Sequence, residues 1–240
     1  MENSIYVALS HQMALRRQLD VTSNNIANMN TTGYKNQRML FTEFLTRPGL
    51  HEKVSFVQDR AVVRDLSNGA MTQTGNPLDL ALTGQGYFTV DTASGPRYTR
   101  AGNFRLNDQR QLVDAGGLPV LANNGQPITI PAGTTDVKVS GDGTVATELG
   151  PVAKLNIVTF KNEQLMTEVG SGLYVSDEQP EPAPVETKVA QGLLEGSNVK
   201  PVVEMTQMIT LQRQYMSAQR MMDTEHERVR TMLQRLGRSV

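Results

Sequence analysis

The chain has 240 residues, and 23 lysines and arginines against 24 acidic residues give it a formal charge of −1. This length allows one or two domains with a substantial core, and the balanced charge excludes a basic surface for nucleic acid. Cysteine is absent, which excludes thiol catalysis, thiolate metal sites and disulfide bonds. Every apolar run is shorter than the ~18 residues of a membrane span, so membrane insertion is not expected. Residues 1–4 lack the features of a cleavable signal peptide, so export would need another route.

Glycine and proline divide the chain into three parts. Of the 20 glycines, 17 lie between Gly69 and Gly196, no proline precedes Pro48, and Pro201 is the last proline. These residues interrupt regular helix, so the distribution predicts a helix, a glycine- and proline-rich middle and a second helix.

The first helix is predicted from about Asn3 to about Asn28, because apolar residues recur there in steps of three and four. An asparagine-rich stretch follows at residues 24–30, although asparagine is a poor helix former. Either these amides belong to a frayed polar helix end, or they hydrogen-bond to neighbouring backbones where helices crowd together. Gly33 is expected to supply the left-handed conformation that ends the helix.

Residues 36–74 are predicted to form an extended or hairpin-like connector, since their apolar residues show no clear period. Short alternating runs separated by turns then predict a small antiparallel β domain over residues 75–195. One such pair joins Val137–Val139 to Thr144 and Val145 across a Gly-Asp-Gly turn.

The last helix is predicted from about Val202 to Leu236, with Pro201 at its entry. Apolar residues recur every seven positions there, at Met208, Tyr215, Met222, Val229 and Leu236. A strict seven-residue repeat is typical of a coiled-coil seam. The fold class predicted is therefore α+β: long terminal helices form a coiled-coil-like α domain, with a small antiparallel β domain inserted between them. The predicted segments are 1–35, 36–74, 75–195 and 196–240.

Neither terminal helix can bury its apolar stripe alone. Burial yields ~1.5–3 kcal/mol for each apolar side chain, whereas ordering each residue costs ~1–2 kcal/mol in backbone entropy. We therefore expect the two ends to become ordered only when they associate with other molecules. The alternative is an ordinary antiparallel helix pair packed on its own β domain.

The sequence offers little for catalysis or ligand binding. His11, His51 and His226 are scattered, and acidic neighbours beside His226 are more typical of a solvated helix face than of a zinc site. The Gly84-Gln85-Gly86 turn lacks the third glycine of a dinucleotide loop. No cofactor and no metal are expected, and an enzyme on the β domain is the least supported alternative.

Six blocks of the chain carry recognisable motifs: 24–35 (NNIANMNTTGYK), 75–88 (GNPLDLALTGQGYF), 98–104 (YTRAGNF), 111–117 (QLVDAGG), 191–199 (QGLLEGSNV) and 204–215 (EMTQMITLQRQY). In this order along the chain, the blocks resemble those of the bacterial flagellar rod and hook proteins. The start of the chain and the short middle domain are most similar to the proximal rod proteins, with the distal rod proteins as the alternative.

The resemblance implies a structural protein that is not an enzyme. Its terminal helices would form the inner layer of an axial tube in the flagellar basal body, with the β domain outside. Its partners would be copies of itself, other rod proteins of the proximal and distal rod, and the flagellar type III export apparatus, which needs no cleaved signal. A different class of protein, a secreted β-domain module that binds glycan and carries helical tails, is the remaining alternative.

Within that expectation, the two apolar seams and the asparagine-rich motif would contact neighbouring subunits. The predicted assembly interface consists of Ile5, Leu15, Leu19, Asn24, Asn25, Ile26, Asn28, Met29, Met208, Tyr215, Met222, Val229, Leu233 and Leu236.

Overall fold

The computed structural model describes residues 2–46, 54–134 and 136–236. Two compact units divide the chain: a helical unit from 1–27, 37–65 and 200–240, and a β unit from 28–36 and 66–199. The asparagine-rich motif is therefore shared, with Asn24 and Asn25 in the helical unit and Asn28 in the β unit. The four predicted segments stay a prediction.

Four elements make up the described part of the helical unit: α1 Glu2–Ala27, β1 Gln37–Thr46, β2 Val54–Arg64 and α2 Pro201–Leu236. Pro201 occupies the first helical position of α2, where its missing N–H costs nothing. Glu204 lies in the first turn, where a carboxylate is favoured by the helix dipole. Strands β1 and β2 pair antiparallel from Gln37 opposite Arg64, with a bulge between Leu40 and Phe41.

The two helices contact each other and run antiparallel, since Asn25 near the end of α1 reaches Glu204 near the start of α2. Among the residues of the pair whose side chains the structure describes, the buried ones are Ala14, Leu15, Thr22, Asn25, Glu204 and Leu211. Glu204 and Leu211 lie seven residues apart and so share one face of α2. Met208, Tyr215 and Met222 follow the same face and are half-buried.

The expectation that Gly33 ends the first helix is wrong, because α1 ends at Ala27. Gly33 does adopt a left-handed backbone, with φ of 70°. Its role is close packing within the β unit: an added Cβ would lie 2.6 Å from the carbonyl carbon of Arg100.

The β unit consists of short strands and turns, with one 3₁₀ turn at Glu163–Leu165. Its described strands are β3 Met71–Gln73, β4 Leu80–Thr83, β5 Tyr87–Val90, β6 Arg97–Thr99, β7 Arg105–Leu106, β8 Leu112–Val113, β9 Val137–Val139, β10 Thr144–Thr147, β11 Gly150–Lys154, β12 Ile157–Thr159, β13 Thr167–Glu168, β14 Leu173–Val175, β15 Glu181–Pro182, β16 Lys188–Gln191 and β17 Leu193–Glu195.

Six of the described strands form the largest sheet, in the order β13-β14-β6-β5-β12-β15, and β11-β10-β9 form another. The pairs β16-β4, β17-β3 and β7-β8 complete the pairing among described strands. All of these pairs are antiparallel, and with α1 and α2 they confirm the α+β class. The predicted hairpin across the Gly-Asp-Gly turn is also confirmed, with Val145 opposite Val139.

The large sheet buries apolar side chains on both of its faces. Alternation along β5 places Tyr87 on one face and Phe88 on the other. Phe88 belongs to the main core, which also contains Leu80, Leu82, Val90, Phe104, Leu112, Val120, Ala122, Ile128, Ile130, Val137, Val145, Leu155 and Val189. Tyr87 belongs to a smaller aromatic cluster with Tyr98, Val158, Phe160, Met166 and Tyr174. The β unit therefore encloses its own core. Among the described residues, no helix has the length and hydropathy needed to cross a membrane.

Candidate functional site

Asn25 joins three elements of the helical unit. Its side-chain oxygen accepts a hydrogen bond from the Gln37 N–H at 2.9 Å, and its Nδ2 donates to the Gln37 carbonyl at 2.8 Å. The same Nδ2 donates to the Glu204 carboxylate at 3.2 Å. One buried amide thus fixes the first residue of β1 and the first turn of α2 against the end of α1. An amide can do this because it carries two donors and an acceptor in one plane.

Away from this junction, α2 is largely exposed. Among its described residues, eight large apolar side chains are exposed: Val202, Val203, Met205, Ile209, Met216, Met221, Val229 and Met232. Val202, Met205, Ile209 and Met216 form one stripe, at steps of three, four and seven. This stripe lies roughly 140° around the helix from the buried face that includes Leu211. The α2 helix therefore has two apolar faces, and α1 covers one of them.

The predicted interface residues are spread over both units. Leu15 and Asn25 are buried in the helical unit, Leu19 and Ile26 are half-buried there, and Asn24 is exposed. Asn28 and Met29 are half-buried and belong to the β unit, whereas the other described residues of the predicted interface belong to the helical unit. Met208, Tyr215 and Met222 are half-buried on α2, and Val229 is exposed. The side chains of Ile5, Leu233 and Leu236 lie outside the described set.

A second buried junction lies in the β unit at Glu195, which is only 1% exposed. One carboxylate oxygen pairs with Lys35 Nζ at 2.7 Å, and the other pairs with Arg100 Nε at 2.9 Å. The Gly69 N–H also donates to this carboxylate at 3.1 Å. Two cations and a backbone amide satisfy the buried charge, as a carboxylate removed from water requires.

The two cations of this junction have further acceptors within the β unit. Lys35 donates to the Ser67 carbonyl at 2.8 Å, and Arg100 donates to the carbonyls of Gly84, Gly86 and Leu82. Burial lowers the pKa of Lys35 below its usual value, although the neighbouring Glu195 carboxylate opposes the change. The junction therefore binds together chain segments that are far apart in sequence.

Three models of flagellar families match this chain. Residues 5–35 match the flagella basal body rod protein family, residues 81–147 match the flagellar hook protein FlgE/F/G D1 domain, and residues 190–235 match the C-terminal region of the flagellar basal body rod FlgEFG proteins.

Curated relatives match along nearly the whole chain. The chain is 40% identical to the flagellar basal-body rod protein FlgF of Caulobacter vibrioides over 99% of both sequences. The chain belongs to the flagellar basal-body rod protein family. Identity to FlgF of Mesorhizobium japonicum is 35% over 90% of both chains, and identity to FlgG of Caulobacter vibrioides is 35% over 88% of this chain and 91% of the relative.

As a member of the rod family, the protein is a structural subunit of the flagellar basal-body rod and not an enzyme. The three matched regions meet at the two buried junctions. Asn25 and Lys35 come from the first region, Arg100 from the second, and Glu195 and Glu204 from the third. The junctions are thus built from the segments that define the family.

Local sequence patterns do not distinguish five residues of the two junctions and the helix contact: Glu195, Lys35, Arg100, Glu204 and Leu211. A signal existed for Leu211, which lies three residues after Met208 and four before Tyr215, the second position of a seven-residue repeat. For Glu195 the only signal was its place inside a family block, since its partners lie 95 and 160 residues away.

Glu195→Gln should destabilise the β unit strongly, by about 3–5 kcal/mol, because it leaves two buried cations without their counter-charge. The midpoint of the main urea unfolding transition of the full chain measures this loss. Glu186→Gln is the matched control, since Glu186 is an exposed acid of the same unit. Equal midpoints for the two variants would contradict the structural role of Glu195.

Asn25→Asp should weaken the helical unit by roughly 3 kcal/mol, because the carboxylate cannot donate to the Gln37 carbonyl and repels Glu204. We expect loss of swimming in cells that carry this variant, with reduced amounts of the subunit in isolated basal bodies. Asn30→Asp makes the same chemical change at an exposed asparagine outside the predicted interface, and cells that carry it should swim normally. Normal swimming by both variants would show that the Asn25 junction is dispensable.

Proposed function

We propose that this rod subunit assembles helically through its terminal helices, with copies of itself and with other rod proteins, into the proximal part of the axial drive shaft. The shaft would span the periplasm, transmit motor torque and enclose the export channel. The subunit would reach it through the flagellar type III export apparatus, without a cleaved signal peptide.

The observation that carries this proposal is the contrast between the two units. The β unit buries a large apolar core of its own, whereas α2 buries only Glu204 and Leu211 among its described residues. Each large apolar side chain gains roughly 1.5–3 kcal/mol on full burial, so the exposed stripe of α2 favours association. The helices are therefore the part of the subunit that gains most from a neighbour.

The seven-residue repeat of α2 indicates how that neighbour would pack. Met208, Tyr215 and Met222 continue the buried face of Leu211 at coiled-coil spacing, although each remains partly accessible. A neighbouring helix that closes this seam would wind around α2 with a left hand. Contacts between different surfaces of successive subunits extend a tube when the rotation between subunits does not close a ring.

Placement in the proximal rod is supported by the likeness to the two FlgF relatives. In Caulobacter vibrioides, for which relatives of both names are available for comparison, the FlgF protein is more similar to this chain than the FlgG protein and covers more of it. The distal rod remains the second candidate within the family.

Met222→Asp tests the proposed seam. A charge in a buried helix contact costs on the order of 3 kcal/mol when nothing pairs with it, so the variant should fail to enter the rod and the cells should not swim. Swimming assays and immunoblots of isolated basal bodies measure the two effects. Ser217→Asp is the matched control, because Ser217 is an exposed residue on a different side of α2. If Met222→Asp cells swim as well as the control, the seam is not needed for assembly.

A further inference from the structure

At the Glu195 junction, a buried amine lies next to a side-chain amide. The Lys35 Nζ donates to Glu195 Oε1 at 2.7 Å and to the Ser67 carbonyl at 2.8 Å. Ser67 directly precedes Asn68 in the chain, and Lys35 and Asn68 line the same cavity of about 230 Å³ in the β unit. The structure therefore brings a primary amine, a carboxylate and a carboxamide together in one place.

The Lys35 amine has the surroundings of a nucleophile. An amine attacks a carbonyl carbon only in its neutral form. Burial lowers the pKa of Lys35 and the Arg100 guanidinium acts in the same direction, although the Glu195 carboxylate opposes the change. The same carboxylate lies within hydrogen-bond reach of the amine, as a general base must. Glu195 can therefore accept the proton that Lys35 loses when its nitrogen forms a new bond.

The Asn68 carboxamide is polarised by a buried cation. Arg100 Nη2 donates to Asn68 Oδ1 at 2.9 Å. Arg100 is only 4% exposed, and its guanidinium is also bound to Glu195 and to the Gly84 carbonyl. A fixed donor at the amide oxygen stabilises the negative charge that develops there when a nucleophile adds to Cγ. Among the described residues, the Asn68 Nδ2 has no hydrogen-bond partner, so its departure breaks no contact.

We propose that the side chains of Lys35 and Asn68 join in an intramolecular isopeptide bond. The bond between Lys35 Nζ and Asn68 Cγ forms, the bond between Asn68 Cγ and Nδ2 breaks, and ammonia leaves. Glu195 takes one proton from Nζ and passes it to Nδ2, so the carboxylate is regenerated and no oxidant or cofactor is consumed. Arg100 stabilises the oxyanion. Asn68 is exposed, which gives the ammonia a way out.

The bond would fasten the two points at which the chain leaves and re-enters the β unit. That unit contains residues 28–36 and 66–199, and the strands β1 and β2 lie in the intervening stretch of the chain. Like a disulfide, a cross-link between residues distant in sequence stabilises a fold mainly by restricting the unfolded chain. The bond is internal to one chain, so it forms whether or not the subunit assembles.

Mass spectrometry of the purified, folded full-length chain tests the bond. We expect an intact mass that falls below the mass of the sequence by one molecule of ammonia. Trypsin should release residues 18–38, uncut at Lys35, joined to residues 65–97. The joined peptides should survive a reducing agent, because the chain has no cysteine and cannot form a disulfide. An intact mass that stays equal to that of the sequence would overturn the proposal.

A competing reaction at the same amide would give the same loss of mass. The Gly69 nitrogen can close a succinimide ring on Asn68 Cγ, because glycine has no side chain to block the approach. The loss of mass would then lie within residues 65–97 alone, and trypsin would cut after Lys35 as usual. That result would refute the isopeptide bond, whereas joined peptides support it.

Two asparagine variants assign the carbonyl partner. Asn68→Ala removes the carboxamide at an exposed position and should abolish the joined peptides and restore the mass of the variant sequence. Asn124→Ala is the matched control, since Asn124 is also an exposed asparagine that precedes a glycine in the β unit, and it should keep the joined peptides. A cross-link to Lys35 that persists in Asn68→Ala would overturn the choice of Asn68.

Discussion

The buried carboxylate of Glu195 connects three segments of the β unit that are far apart in sequence. A carboxylate that is 1% exposed requires its counter-charges, so Lys35 and Arg100 must reach it from distant parts of the sequence. Nearby, the Asn36 N–H donates to the Asn198 side-chain oxygen at 2.6 Å. The chain therefore enters and leaves this part of the β unit at neighbouring points. Removal of Glu195 would leave both cations without their counter-charge, whereas removal of either cation would leave the carboxylate paired with the other.

The helical unit is held by a different kind of interaction. Asn25 is neutral, and its three hydrogen bonds orient β1 and α2, with one of them accepted by the buried Glu204 carboxylate. Beyond it, the helices share few buried side chains and leave most of α2 accessible. The structure thus combines a β unit that buries its own core with a helix pair whose hydrogen-bonded junction lies at one end and whose second α2 stripe is exposed. These differences suit a subunit that buries exposed helix surface against neighbouring subunits during assembly.

Sequence analysis could predict the elements whose signals are local. The positions of glycine and proline along the chain predicted α1, α2 and the strands between them. The Gly-Asp-Gly turn correctly predicted the pairing of Val145 with Val139. The junctions could not be predicted, because contacts across 95 and 160 residues leave no periodic pattern. Gly33 was misread for the same reason: its left-handed backbone is local, but the approach of Arg100 that requires a glycine is not. The seven-residue repeat marks only one face of α2, so it does not predict the exposed stripe on the other face.

The unequal lengths of the helices have a geometric consequence for assembly. With α1 at 26 residues and α2 at 36, antiparallel pairing must leave part of α2 without α1 beside it among the described residues. The Asn25–Glu204 contact sets the pairing of the helices near the start of α2, so the part of α2 without α1 beside it lies at the other end of α2. Among the described residues the two ends of the helical unit therefore differ: α1 lies beside α2 at one end, and α2 extends past α1 at the other. A unit with two different ends has a direction, and subunits that stack with a common direction extend a filament where symmetric pairs would stop.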